Sequence, residues 1–126
     1  MVDTDSDGLE DGKEVNIHKT DPNKADTDGD GLSDPDELRI TGTNPVEQDS
    51  DGDGLIDGDE DSDSDELTDA AELNIHNTSP LEADVDEDGL GDGDEINIHK
   101  TNPEVADTDG DRLLDGTEVT LKLMSP

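Results

Sequence analysis

The chain of 126 residues contains no cysteine, phenylalanine, tyrosine or tryptophan. Without cysteine there is neither a disulfide framework nor a thiolate metal site, and usage of that residue says nothing about compartment. Leu, Ile and Val together number 24 of 126, too few to build a globular core. Ordering a residue costs about 1.5 kcal/mol, and so little apolar side chain cannot offset that by burial. Basic residues are scarce too: seven Lys and Arg stand against 40 Asp and Glu, a net charge of −33. Such a chain is a poor partner for nucleic acid or an anionic membrane surface. No apolar run reaches membrane-spanning length, so no membrane insertion is expected. Met1 is followed by acidic residues rather than a basic start and an apolar stretch, so no signal peptide is expected in this chain. By composition alone it reads as a disordered acidic polymer, and its mutual repulsion calls for bound cations if it is to become compact.

What is present is repetition. Twelve-residue acidic loops begin at Asp3, Asp26, Asp49, Asp61, Asp84 and Asp107, separated by 23, 23, 12, 23 and 23 residues. The second three are offset from the first three by 58 residues throughout. Two blocks are therefore predicted, residues 1–60 and 61–126, each of three loops, as from duplication of a larger unit. Between loops a second string recurs, Val15-Asn16-Ile17-His18-Lys19-Thr20-Asp21-Pro22 in its first copy, then Leu38 to Pro45, Leu73 to Pro80 and Ile96 to Pro103. Each ends Thr-X-Pro, and proline bars its predecessor from helix, so any helix leaving a loop stops within about two turns. Each unit is predicted as loop, short helix and extended return. Leu9, Leu32, Leu55, Leu67, Leu90 and Leu113, with Ile17, Ile40, Ile75 and Ile98, are expected to form a thin stripe between neighbours in a quasi-linear stack.

The first loop places carboxylates at positions 1, 3, 5, 9 and 12: Asp3, Asp5, Asp7, Asp11 and Glu14. Ca2+ is a hard cation taking six to eight oxygens, which alternate residues of a tight turn aim at one centre. Position 7, here Leu9, offers its backbone carbonyl, a turn glycine sits at position 6, and Glu at position 12 reaches back to bind with both oxygens. The same set recurs as Asp26, Asp28, Asp30, Leu32, Asp34, Glu37; as Asp49, Asp51, Asp53, Leu55, Asp57, Glu60; and as Asp61, Asp63, Asp65, Leu67, Asp69, Glu72. It closes with Asp84, Asp86, Asp88, Leu90, Asp92, Glu95 and with Asp107, Asp109, Asp111, Leu113, Asp115, Glu118. Six such loops in register are a far more specific signal than one. Mg2+ fits less well because it sheds water reluctantly and seldom uses an all-protein cage.

These loops match the EF-hand calcium loop. The wider pattern, as in Asp26-Thr27-Asp28-Gly29-Asp30-Gly31-Leu32-Ser33-Asp34 followed by Gly42-Thr43-Asn44-Pro45, resembles the bacterial thrombospondin type 3 repeat. The resemblance spans roughly residues 3–120. It implies a calcium-stabilised, elongated array of loops and short helices with little regular secondary structure and no large hydrophobic core. It also implies an extracellular, secreted or cell-surface setting, such as a bacterial envelope, beside flanking domains. With 11 residues between most loops there is no room for an entering helix, so paired EF-hand lobes are excluded. Position 8, usually aliphatic in such pairs, is Glu10, Ser33, Thr68 and Gly91 in four loops, which argues against a calmodulin-like sensor. Glu66 and Arg112 replace the turn glycine in two loops, and those sites are expected to be weaker.

Several residues carry a plainer reading beside the sharper one. Position 9 and position 12 also form a capping box, as in Asp34-Pro35-Asp36-Glu37. Asp36, Asp59 and Asp94 are read as solvated rather than as ligands of an ion shared between units. His18, His76 and His99, with Lys19 and Lys100, are read as cations at helix C-termini rather than a zinc site. Thr20, Thr43, Thr78 and Thr101 are read as turn formers. Nothing resembles a Ser, His and Asp set or a phosphate-cradling loop, so no enzyme is expected. The expectation is a calcium-rigidified spacer or stalk binding about six ions, more if units share them. A calcium-dependent interaction module docking another surface protein, adhesive or dockerin-like, and an acidic calcium buffer are the alternatives.

Overall fold

The computed structural model describes residues 2–124. Among these residues there is no strand, and the chain is a repeat array of loops and short helices. Each of four loops runs into one α-helical turn continued by a π-helical turn. These are α1 (Asp11–Lys13) with Glu14–His18, α2 (Asp34–Asp36) with Glu37–Thr41, α3 (Asp69–Ala71) with Glu72–His76, and α4 (Asp92–Asp94) with Glu95–His99. After the third loop only a 3-10 turn forms, Asp57–Asp59, because Glu60 is followed at once by the next loop. The last loop leads into α5 (Asp115–Met124), the longest helix among the described residues and too short and polar to cross a membrane.

The helices stop as short as the Thr-X-Pro pattern requires, but a left-handed residue does the stopping. Lys19, Gly42, Asn77 and Lys100 all have positive φ, between 58° and 78°, immediately before the threonine. The Lys19 and Lys100 amides each donate to the carbonyl of the position 12 glutamate at 2.6 Å. Lys19 Nζ donates to the carbonyls of Val15 and Asn16, and Lys100 Nζ to those of Ile96 and Asn97. The lysines thus satisfy carbonyls left open at a helix end. Proline opens the next turn, whose first carbonyl accepts the amide three residues on, as Asp21 does from Lys24 at 2.9 Å.

Contacts divide the chain into two compact units, Met1–Glu60 with Thr68–Ala71, and Asp61–Leu67 with Glu72–Pro126. Each has a very small apolar interior. Leu9 and Leu32 are buried in the first, Leu67 and Leu90 in the second. The expected stripe is otherwise corrected: Ile17, Ile75 and Ile98 are more than 60% exposed, with Ile17 at 65%, and Ile40, Leu55 and Leu113 are also exposed. The inward positions beside the π turns are taken instead by the position 12 glutamate and the threonine of the return, as with Glu14 and Thr20.

Candidate metal centres

Six times over, the position 9 amide closes its loop onto the carbonyl of the residue preceding that loop. Asp11, Asp34, Asp57, Asp69, Asp92 and Asp115 donate to Val2, Ala25, Gln48, Glu60, Ala83 and Ala106 at 2.7–2.9 Å. Within the loop, position 1 accepts from the amide at position 6, as Asp84 does from Gly89 at 3.1 Å. Position 5 accepts from the amide at position 7, as Asp88 does from Leu90 at 2.7 Å. One oxygen of these carboxylates is thereby fixed by backbone. Glu66 and Arg112 adopt φ of 79° and 82° and still donate to Asp61 and Asp107. The missing turn glycine therefore leaves the loop path intact, at a cost of about 1–2 kcal/mol for a left-handed non-glycine residue.

The position 9 aspartate, expected as a metal ligand and beside that as a helix cap, braces its loop, and only the capping reading is corrected. Thr4, Thr27, Ser50 and Thr108, all at position 2, bind it with both amide and hydroxyl; in the second loop Thr27 reaches Asp34 at 2.7 and 2.6 Å. The same hydroxyls accept the amides of Asp21, Asn44 and Asn102 from the preceding return. Side-chain capping comes from position 8 instead, where Ser33 and Thr68 accept the amides of Asp36 and Ala71. In the fifth loop position 2 is Val85, which offers only its amide. Asp92 Oδ2 is then buried without a partner, and burial pushes the Asp92 carboxyl up to about 6.

The position 12 glutamates Glu14, Glu37, Glu72 and Glu95 are completely buried. Each takes one hydrogen bond from the Thr-X-Pro threonine, Thr20, Thr43, Thr78 and Thr101, at 3.0–3.4 Å. The threonines expected only to form turns therefore also hold the glutamate. The second oxygen of Glu14, Glu37 and Glu95 has no partner, and neither does Oδ2 of the position 3 residues Asp5, Asp28 and Asp86. Buried carboxylate oxygens without donors are costly. Burial, then the neighbouring Asp28 and Asp30 charges, pushes Glu37 up to about 8; burial takes Glu95 to about 7 and Asp28 to about 6. Oxygen-only donors with these unused atoms fit a hard cation such as Ca2+. Asp3, Asp5 and Asp7 have oxygens within 4.8 Å of one another, as have Asp26, Asp28 and Asp30, and Asp49, Asp51 and Asp53. In the third and sixth loops Glu60 and Glu118 are only half-buried and no Thr-X-Pro follows them.

Neighbouring loops meet at these groups. Asp34 joins Asp7 and Glu14 in one potential donor cluster, and Asp57 joins Asp30 and Glu37 in another. Asp36 is held by the Ser33 hydroxyl, while Asp59 and Asp94 are exposed. The position 10 residue packs most tightly. A Cβ on Gly58 would strike the Asp30 carbonyl and one on Gly93 the Asp65 carbonyl, while one on Gly116 would lie 2.6 Å from that of Asp88. The Gly93 and Gly116 amides donate to Asp65 and Asp88 Oδ2 at 2.9 and 2.8 Å. Within one loop nothing marks these glycines, since their partners lie 28 residues away.

The model of the bacterial TSP3 repeat matches residues 3–25, 26–46 and 84–104. No curated protein matches the chain. Among solved structures, a biofilm associated protein B domain shares 42% identity over 36% of this chain and 11% of that one, with a TM-score of 0.35. A biofilm associated protein BSP domain shares 44% identity over 34% of this chain and 7% of that one, with a TM-score of 0.34. The chain therefore spans only about a tenth of the solved chains it matches. With its three matched segments covering just over half of its length, the chain belongs to the bacterial TSP3 repeat family.

Proposed function

We propose that the chain is a calcium-binding region acting as a calcium-rigidified spacer between flanking domains of a secreted or cell-surface protein, without catalytic activity. The observation that carries this reading is the set of buried, partnerless oxygens on Glu14, Glu37 and Glu95 and on Asp5, Asp28 and Asp86 of the same loops. The proposed ligands in each loop are positions 1, 3, 5, 9 and 12 and the position 7 carbonyl, Leu9 in the first loop, with position 9 also bracing the loop through position 2. Bound Ca2+ would supply the positive charge that these carboxylates lack and make folding and metal binding one event. Six loops set the base number of ions, and the clusters containing Asp34 and Asp57 would raise it. The two blocks of three loops, residues 1–60 and 61–126, are the proposed repeat units of the spacer.

Affinities of roughly 10⁻⁴ to 10⁻³ M are typical of extracellular calcium modules and suit a calcium-rich compartment. Small-angle scattering and circular dichroism through a calcium titration test the reading, with magnesium as control. Conversion of an expanded chain to a stiff, helix-containing one by calcium, and not by equal magnesium, is the expected result. A chain that calcium leaves unchanged is no spacer of this kind. A calcium-dependent interaction module is the second reading, favoured by the exposed isoleucines Ile17, Ile75 and Ile98. A partner captured only in calcium and lost on Ile75→Ser and Ile98→Ser would favour it.

A further inference from the structure

We propose that the backbone amides of Gly93 and Gly116, at loop position 10, are positioning groups for the metal sites of the fourth and fifth loops, so that these loops fill cooperatively with the loops that follow them. This rests on the calcium reading above. Asp88 belongs to the fifth loop, and Leu90 of the same loop holds its Oδ1. Its other oxygen is held from the sixth loop, by Gly116, through a buried hydrogen bond of 2.8 Å. Asp65 of the fourth loop is gripped in the same way, by Leu67 of its own loop and by Gly93 of the next. A carboxylate fixed at both oxygens loses little freedom on meeting a cation, which is preorganisation of a ligand.

The first loop shows the contrast. Position 10 of the loop after it is Pro35, which has no amide hydrogen, and Asp7 Oδ2 is buried without a partner; Asp30 Oδ2 is likewise without a hydrogen bond although Gly58 follows it, so the grip belongs to Gly93 and Gly116. Gly116 and Gly93 are outside the proposed ligand set, and each is glycine at ordinary φ. The need for glycine is one of close approach, since a Cβ on Gly116 would also lie 3.0 Å from the Gly89 carbonyl carbon and 3.1 Å from the Leu90 nitrogen. Because ordering the sixth loop places the Gly116 amide on Asp88, calcium in either loop raises affinity in the other by the same factor.

The test follows the amide signals of Gly89, Gly110 and Gly31 by nuclear magnetic resonance through a calcium titration of the full chain. These glycines report on the fifth, sixth and second loops. Gly116→Ala brings the same Cβ contact but keeps the amide, and Gly116→Pro is expected to raise the calcium midpoint at Gly89 about tenfold beyond it, the loss of one charge-assisted hydrogen bond. The midpoint at Gly31 stays in place. Glu118→Gln keeps Gly116 and weakens the sixth loop, and it is expected to raise the Gly89 midpoint severalfold. In the Gly116→Pro background that added shift disappears. A Gly89 midpoint in Gly116→Pro no higher than in Gly116→Ala overturns the proposal. If Gly116→Pro does not fold, an unchanged Gly89 midpoint in Glu118→Gln overturns it equally. A wild-type chain whose signals ignore calcium would instead refute the calcium reading itself.

Discussion

Val85→Thr restores at the fifth loop a hydroxyl that four other loops use. Thr4, Thr27, Ser50 and Thr108 reach the position 9 carboxylate at 2.6–2.7 Å, whereas Asp92 Oδ2 has no partner and Asp92 is fully buried. Val and Thr have nearly the same shape, so the new hydroxyl enters without repacking. A hydrogen bond to a buried charged group contributes about 1.5 kcal/mol or more, and giving up one half-buried methyl costs a few tenths to about 0.8 kcal/mol. The net expectation is a gain of about 1 kcal/mol. In urea at saturating calcium this moves the unfolding midpoint of the second unit up by roughly 0.5 M. A variant no more stable than the parent would refute the brace.

Thr43→Val removes the hydroxyl bond to Glu37 Oε1 and leaves that buried oxygen without its side-chain donor. Calcium affinity at the second loop should fall about tenfold by calorimetry, with Thr43→Ser restoring most of it. In excess chelator, the buried Glu37 and Glu95 carboxyls of the folded chain lie above their ordinary values, Glu37 moving from 4.5 to about 8 and Glu95 from 4.5 to about 7. At these groups the folded chain binds protons more tightly than the unfolded one. Metal-free stability should be greatest below about pH 4.5 and be lost as pH rises towards 8, as read by circular dichroism across that range. Conversely, calcium binding near pH 7 should release protons, measurable in buffers of different ionisation enthalpy. Gly58→Ala drives a Cβ into the Asp30 carbonyl and should destabilise the first unit by about 1–3 kcal/mol in thermal unfolding. Gly12→Ala, with nothing within 4 Å, should be neutral or slightly stabilising.

The acidic positions were legible because their spacing is local: a tight turn aims alternate side chains at one point, and 1, 3, 5 and 12 can be read off a single loop. The length of the four helices that run into a Thr-X-Pro return was legible for the same reason. What the sequence hid lies in contacts between segments. Thr20 and its counterparts look like turn residues, and only the folded π turn shows them on the glutamates. The hydroxyl at position 2 sits seven residues from the aspartate it braces, a separation with no helical or strand meaning until the loop closes. Gly93 and Gly116 answer to carboxylates 28 residues away. The isoleucines misled because an aliphatic recurring at a fixed position reads as core in any repeat, yet here buried glutamates occupy the interior.

The ranking of loops shifts once closure is considered beside turn glycines. Judged by position 6 alone, the fourth and sixth loops are the odd ones. Yet the fourth keeps Leu67 at 6% exposure and a fully buried Glu72 held by Thr78, like the first, second and fifth loops. The third loop has its turn glycine, but Leu55 is 45% exposed and its helix is cut to one 3-10 turn. In the sixth, Leu113 is 41% exposed. The two open loops share one feature: no π turn and Thr-X-Pro return follows them to bury the glutamate and hold one of its oxygens. Closure of the chain over position 12 therefore separates buried donor sets from open ones more sharply than the turn residue does. Each run of three loops then consists of two enclosed centres and a third that is open to solvent, where a bound ion would keep more of its water.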